Sequence, residues 1–444
     1  MSNTYQLKPC NTFVLNKKIV YLHRQLTKQD MTSGHPHTAM KPIINHFTDN
    51  DLYTFTCMYY ILQKYPRAET EYQFFDRHQT RYPAGFADLL REQLNHLSEV
   101  AITDEECAFM TRSFPFLPYW FINVFLRGYR FHPNELTITQ DEEGHLDILI
   151  KGKWWSTIMW EMPILSIISE LMHMLNGDTE KYDADAEYEK TLQKGRRIWQ
   201  GGLTLGDMGT RRRFSFAHQE RVLDALIQSY AEVKEQTGGQ CGRFTGTSNV
   251  YFAMKKGIPC LGTMSHQCIS FEEIVSGVFE CNYNVMNKWS EVYDGNVGIF
   301  LYDCFGDHVF FSNLSKRMAM TFSGLRIDSG VEEEQVDHIV ERYRQLGIDP
   351  MTKQAVFSNG LDVDRALEIH RYCQGKITDS YGVGTHLTCD ITDCKPMNIV
   401  VKLIRGRITE SREWHHCVKL SCDKGKTLGD PQKCSYLLSV LDKS

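Results

Sequence analysis

The chain predicts an α/β fold: an irregular α/β barrel joined to a mixed α/β N-terminal domain. Three observations carry that expectation. From about residue 200, short apolar runs alternate with amphipathic helical stretches, the pattern of β-loop-α units on a parallel sheet. The loops that follow those runs are rich in Gly, Ser, Asn and charge, and barrels keep their chemistry on such loops. Before residue 160 the texture differs, with aromatic-rich helical spacing and then a single strand-like alternation. The expected division is a polar arm over 1–45, an N-terminal α/β domain over 46–160 joined by 399–444, and the barrel over 161–398.

Composition sets the outer bounds. Of 444 residues, 42% are hydrophobic and 23% charged, which is globular and excludes long disorder. The net charge of −6 excludes a basic coat, so no nucleic-acid partner is expected. Fourteen cysteines without a secretory pattern at the start of the chain point to reduced thiols and a cytoplasmic protein.

The elements follow in order. The arm contains turn-prone Ser33–Pro36 and a helical stretch over 19–27. Leu52, Phe55, Tyr59 and Leu62 recur at helical spacing, and His145–Lys151 alternates as a strand. The stretch 148–175 is the most apolar, yet it holds Lys151, Lys153, Glu161 and Glu170. It therefore reads as buried strand and helix, with no membrane partner. Residues 242–247 precede a helix ending near Lys256-Gly257. Val297–Tyr302, Met318–Phe322 and Gln354–Phe357 read as strands, and a helix runs from Val331 to Leu346 with Ser329 and Glu332 placed as its capping box. Ile399–Leu403 and Val418–Ser421 read as strands of another layer.

Several motifs fail on inspection. Lys424-Gly425-Lys426-Thr427 ends like a phosphate-binding P-loop, but Leu420 stands where its first glycine belongs. Gly382-Val383-Gly384 lacks the third glycine of a dinucleotide fingerprint. Cys389/Cys394 and Cys417/Cys422, with Cys434, have loose four-residue gaps, so no metal centre is assigned to them. His35 and His37 lie in the arm and read as solvated.

Four loops look built for an anion. They are Gly206–Arg213 with three arginines read at a helix start, Arg326–Gly330, Ser358-Asn359-Gly360, and Gly382–His386. Any one alone is an ordinary tight turn; four in order at strand ends imply a phosphate-rich substrate. His266 follows an apolar run and Gly262-Thr263, and a histidine is a nucleophile toward phosphorus when an acceptor orients its ring. Asp303, at the end of Val297–Tyr302, is the candidate acceptor.

Asn50–Tyr53, Gly206–Arg213, Gly246–Asn249, Gly262-Thr263 with His266, Arg326–Gly330, Asn359-Gly360 and Cys394–Asn398 occur in this order. Together, over roughly 48–430, they closely resemble the nicotinate phosphoribosyltransferases. The resemblance implies a type II phosphoribosyltransferase barrel and a head-to-tail homodimer with composite active sites. It implies ATP-coupled transfer of 5-phosphoribose from phosphoribosyl diphosphate to nicotinate in NAD salvage, with Mg²⁺ as cofactor and ATP as co-substrate. It also assigns residues. His266 matches a transient phosphohistidine, and Tyr53 matches a ring-stacking tyrosine contributed by the partner subunit. Arg326 matches the arginine that binds the pyridine ring's carboxylate region, and Arg211 a ring- and phosphate-contacting arginine. Asp328 lies beside the ribose, Thr263 beside the phosphohistidine, and Asn359, Gly360, Gly384 and Thr385 in the 5′-phosphate loops. Met208 stands where the family usually has an aromatic residue, and a thioether still packs on a ring. The loop Asp303–Asp307 departs from the commoner threonine-tyrosine version.

The chemistry suits these residue types. Positive charge builds on ribose as diphosphate leaves, which Asp328 would stabilise. The pyridine nitrogen is already a nucleophile, so no general base is required. Two rivals stand beside this reading: a nicotinamide phosphoribosyltransferase, which carries an aspartate at the position of Ser248, and a non-catalytic sugar-phosphate-binding protein. The bland reading of Ser248 is a helix N-cap.

Overall fold

The computed structural model describes residues 40–420, 427 and 429–441. Nearly all of the expected arm, its helix over 19–27, His35 and His37, Cys422 and Lys424–Lys426 lie outside the described residues. Among the described residues the strands are β1 (Glu69–Asp76), β2 (Leu136–Gln140), β3 (Leu146–Lys153), β4 (Thr204–Asp207), β5 (Arg243–Thr247), β6 (Ile299–Leu301), β7 (Gly324–Ile327), β8 (Gln354–Phe357), β9 (Thr378–Val383), β10 (Ile399–Arg407) and β11 (His415–His416). The helices used below are α1 (Leu52–Lys64), α2 (Glu161–Leu175), α3 (Phe216–Gln236), α4 (Val250–Lys256), α5 (His266–Ser276), α6 (Lys316–Thr321) and α7 (Glu332–Gln345).

The N-terminal layer is an antiparallel sheet in the order β11-β10-β1-β3-β2. The late strand β10 pairs along the whole of β1, from Glu69 opposite Arg407 to Asp76 opposite Ile399. Tyr72 and Phe74 of β1 are buried, as alternation on a half-covered sheet requires. The stretch Trp154–Leu175 is long and apolar enough to cross a bilayer, but 83% of its most apolar window is buried inside the protein. It is a core helix, with α2 apolar on nearly every face.

The second sheet is wholly parallel, in the order β5-β4-β9-β8-β7-β6. Its neighbours run in chain order around a ring. Closure between β5 and β6 falls to residues 259–263: Cys260 bridges Thr247, Leu261 N–H donates to Thr247 C=O (2.8 Å), and Thr263 Oγ1 donates to Ile299 C=O (2.8 Å). One gap is thus spanned by a single bridge and a side chain, which makes the barrel irregular. Gly246 permits this join. Its φ is +105°, and a Cβ there would lie 1.9 Å from Pro259 C=O.

Four local expectations are corrected. Met318–Phe322 is not a strand; α6 occupies it, capped by Ser315, whose hydroxyl accepts from Met318 N–H. Ser329 does not cap α7, because its hydroxyl donates to Asp303 (2.5 Å). Residues 418–420 form no strand, and Leu420 N–H instead reaches Cys304 C=O (3.0 Å). The three arginines precede no long helix directly: Thr210–Arg212 is one 3₁₀ turn, and α3 starts at Phe216 behind its own cap, Ser215.

Candidate active site

The loops at the C-terminal ends of the barrel strands and the 396–403 segment enclose a cleft of about 520 Å³. Its foundation is Asp207, fully buried at the end of β4. Asp207 accepts from Gly209 N–H (2.8 Å), Thr247 Oγ1 (2.7 Å) and Gln219 Nε2 (3.0 Å), which fixes the turn after β4 against that after β5. Arg213 leaves the anion set. It forms a bidentate pair with Asp49 (2.7 and 2.8 Å), both fully buried, and so holds the entry to α1 on the barrel. Arg211 and Arg212 line the cleft. Arg211 stands 3.6 Å from Glu161. Burial opposes its charge, but Glu161, Tyr53 and Asp51 hold its pKa above the usual arginine value.

His266 opens α5 at the cleft wall. Its Nε2 lies 2.8 Å from Asp303 Oδ1 and 2.8 Å from Lys419 Nζ, with Asp328 Oδ2 at 3.8 Å. A protonated Nε2 donates to Asp303, and an unprotonated one accepts from Lys419. Both arrangements hold the ring through Nε2 and leave Nδ1 without a partner among the described residues. Burial, then the Lys419 charge, push the His266 pKa down to about 4, so the ring is neutral at pH 7. Asp303 stays ionised well below the usual carboxylate range: burial opposes this, but His266, Lys419 (3.1 Å) and the Ser329 hydroxyl outweigh it. Asp328 is also lowered, against burial, by His266 and Lys419, and it accepts from Ser358 Oγ (3.0 Å).

Of the sequence-derived residues, Tyr53, Met208, Arg211, Ser248, His266, Arg326, Asp328, Asn359, Gly360, Gly384 and Thr385 all line this cleft. Arg326 Nε is buried with no hydrogen-bond partner among the described residues, a donor left for a ligand. Met208 packs on Gly382, where an added Cβ would fall 2.3 Å from its sulfur. Asp303 stands behind His266 rather than on the wall.

Two expectations change, and Tyr53 is found lining the cleft of its own chain. Leu52 N–H donates to Ser248 C=O (2.9 Å), Asp51 bridges Asn249, and Tyr53 Oη donates to Glu161 (2.9 Å), which ties the start of α1 to this barrel. Thr263 turns its hydroxyl to the β6 backbone and not to the cleft. Ser248 is not the cap of α4, a place taken by Asn249. Ser248 donates to Asp51 (2.9 Å), whose carboxyl burial raises to about 6.

Sequence reasoning missed Asp51, Glu161, Arg77, Lys402 and Lys419 on the same wall. Lys402, on β10, is lowered to about 8 by burial. Alternation along β10 was a signal that one face of that strand meets something polar; nothing local marked Lys419.

The model described as the nicotinate phosphoribosyltransferase (NAPRTase) family matches residues 203–443, and that of its N-terminal domain matches residues 48–169. A nicotinate phosphoribosyltransferase of Desulforapulum autotrophicum is 36% identical over 401 residues, 90% of this chain and 100% of that protein. One from Methanosarcina mazei is 35% identical over 380 residues, 81% of this chain and 90% of its own. The crystal structure of nicotinate phosphoribosyltransferase from Porphyromonas gingivalis superposes with a TM-score of 0.84 at 38% identity, covering 90% of this chain and 100% of that one.

Proposed function

The chain belongs to the nicotinate phosphoribosyltransferase family, and from that premise we propose how its cleft works. It is an enzyme of NAD salvage that transfers 5-phosphoribose from phosphoribosyl diphosphate to the ring nitrogen of nicotinate, giving nicotinate mononucleotide and diphosphate. The observation that carries the finer reading is the neutral His266 held through Nε2 by Asp303 and Lys419. With Nε2–H donated to Asp303, the Nδ1 lone pair attacks the γ-phosphorus of ATP. The N–P bond forms, the P–O bond to ADP breaks, and Asp303 stabilises the positive charge that the ring acquires.

For transfer, the C1–O bond to diphosphate breaks as the pyridine nitrogen donates its pair to C1. Asp328 stabilises the sugar cation between them. Backbone N–H groups at Gly384 and Thr385 suit the 5′-phosphate, with Gly360 lining the same cleft, and the free Arg326 donor with Arg211 suits the acid substrate's carboxylate. Carboxylate oxygens of Asp303 and Asp328 lie within 4.8 Å of each other beside His266, and such oxygen donors fit a hard cation shared with substrate phosphates. Asp328 lines the cleft whereas Asp303 stands behind His266, so Asp328 would be the residue to hold Mg²⁺. A Mg²⁺ held there would supply charge neutralisation for the leaving diphosphate. The twelve described cysteines are all free thiols, which supports a cytoplasmic setting. The exposed patch of Tyr119, Trp120 and Val124 supports a homodimer.

His266→Ala tests the phosphohistidine. The variant should lose turnover-linked ATP hydrolysis and acid-labile label from γ-³²P-ATP, yet keep slow phosphoribosyl transfer. Undiminished labelling would refute the assignment.

A further inference from the structure

Away from the cleft, one group of ligating side chains has no role in the reaction. Near the C-terminal end of α2, His173 is 2% exposed. Its Nδ1 lies 2.8 Å from Asp178 Oδ2 and its Nε2 3.3 Å from Cys389 Sγ. A ring nitrogen of His173, a carboxylate oxygen of Asp178 and Cys394 Sγ all fall within 4.8 Å of one another.

Two unusual backbone positions bring them together. Gly177, at φ +73°, turns the chain after α2 so that Asp178 returns beside His173. Asp393, a non-glycine residue at φ +61°, sits directly before Cys394, in a turn closed by Cys394 N–H to Ile391 C=O (3.1 Å). Aspartate adopts this left-handed conformation more readily than most non-glycine residues, which suits it to the turn that sets Cys394 in place. The neighbourhood is apolar: Phe214, Cys389 and Ile391 form a small cluster separate from the main core, with Tyr182 and Cys394 packed on it. Cys417 and Cys434 belong instead to the main core.

We propose that His173, Asp178 and Cys394 form a site for one transition-metal ion of the Zn²⁺ type, with Cys389 orienting the His173 ring. Imidazole nitrogen, carboxylate oxygen and thiolate sulfur are the donors a borderline-soft divalent ion takes, whereas Mg²⁺ and Ca²⁺ take oxygen. On binding, Cys394 releases its thiol proton to solvent, and His173 moves its ring proton from Nδ1, where it faces Asp178, to Nε2 and gives the Nδ1 lone pair. Nε2–H then donates to the Cys389 sulfur, the outer contact that metal-bound histidines ordinarily make. Three protein ligands leave one position for water. Asp178 and Cys394 are partly exposed, which provides the entry path. Cys394 lies two residues before Pro396-Met397-Asn398 of the cleft wall, and α2 begins with Glu161 of the same wall. The ion therefore staples the base of one wall to the helix behind it.

The test uses the full chain, stripped by chelator and titrated with Co²⁺ alone. One equivalent should produce a thiolate-to-cobalt charge-transfer band in the near-ultraviolet, to which the thiolate-free cluster at His266 cannot contribute. Cys394→Ser should abolish the band. Cys389→Ser should keep it while weakening binding roughly ten- to a hundredfold. No band in the wild type, or an unchanged band in Cys394→Ser, overturns the site. If circular dichroism shows that Cys394→Ser does not fold, Asp178→Asn decides instead: a tenfold or greater loss of Co²⁺ affinity upholds the site, and unchanged affinity overturns it.

Discussion

His266 is neutral at pH 7 because two effects disfavour its charged form, burial and the Lys419 ammonium. Its lone pair therefore survives down to about pH 4, and the acid limb of ATP-linked turnover should lie near there. Lys419→Met removes the cation and leaves Asp303 uncompensated, and both changes raise the histidine pKa. The acid limb should move up toward the ordinary value of about 6.5; a pH profile of kcat/KM that stays in place would show that another group sets it. Ser248 gives a second prediction. Its hydroxyl is committed to Asp51 (2.9 Å), so Ser248→Asp sets two carboxyls side by side in a buried wall. Nicotinate should lose about 1–3 kcal/mol of binding, roughly ten- to a hundredfold in kcat/KM. Nicotinamide should lose less or gain, which a comparison of both substrates in both proteins would reveal.

At the scale of elements, the turn after β5 is the sensitive joint. Gly246 has φ +105° and backbone 1.9 Å from where a Cβ would sit, so Gly246→Ala must displace β5 or the 259–263 segment. The strained backbone alone costs about 1–3 kcal/mol. Urea midpoints should fall, and KM should rise because Ser248 and Asn249 move with the strand. Gly257→Ala is the control: its φ is also positive (+63°), so it carries a backbone cost of about 1–2 kcal/mol, but the space around it is open, so its midpoint should fall less than that of Gly246→Ala and KM should hold. The anion loops were legible in the sequence because a strand, a glycine and polar residues occur contiguously. The stretch Met318–Phe322 was not, since a five-residue apolar run fits a strand or a single helical turn equally, and only the Ser315 cap separates them. Lys419 was hidden for another reason: its partners, Asp303 and His266, lie more than a hundred positions away, and the segment carrying it belongs to no regular element.

For the whole molecule, the cleft is furnished by both ends of the described chain. Tyr53 and Asp51 come from its start, and Lys402 and Lys419 from near its end. Because Tyr53 serves its own barrel, mixing inactive Tyr53→Ala with inactive Arg326→Ala subunits should restore no activity, even after subunit exchange; recovery of activity would place the tyrosine in a neighbour's site. The same layout bears on biosynthesis. β1 leaves the ribosome with β3 to cover one edge, but its other edge is reserved for β10. That strand emerges about 320 residues after β1, a wait on the order of half a minute at ordinary synthesis rates. Throughout it the nascent chain presents an open strand edge, the kind that templates pairing with other chains. Chaperone demand during translation therefore falls on a hydrogen-bonding edge in the first domain, and a chain stalled before residue 399 is both inactive and adhesive.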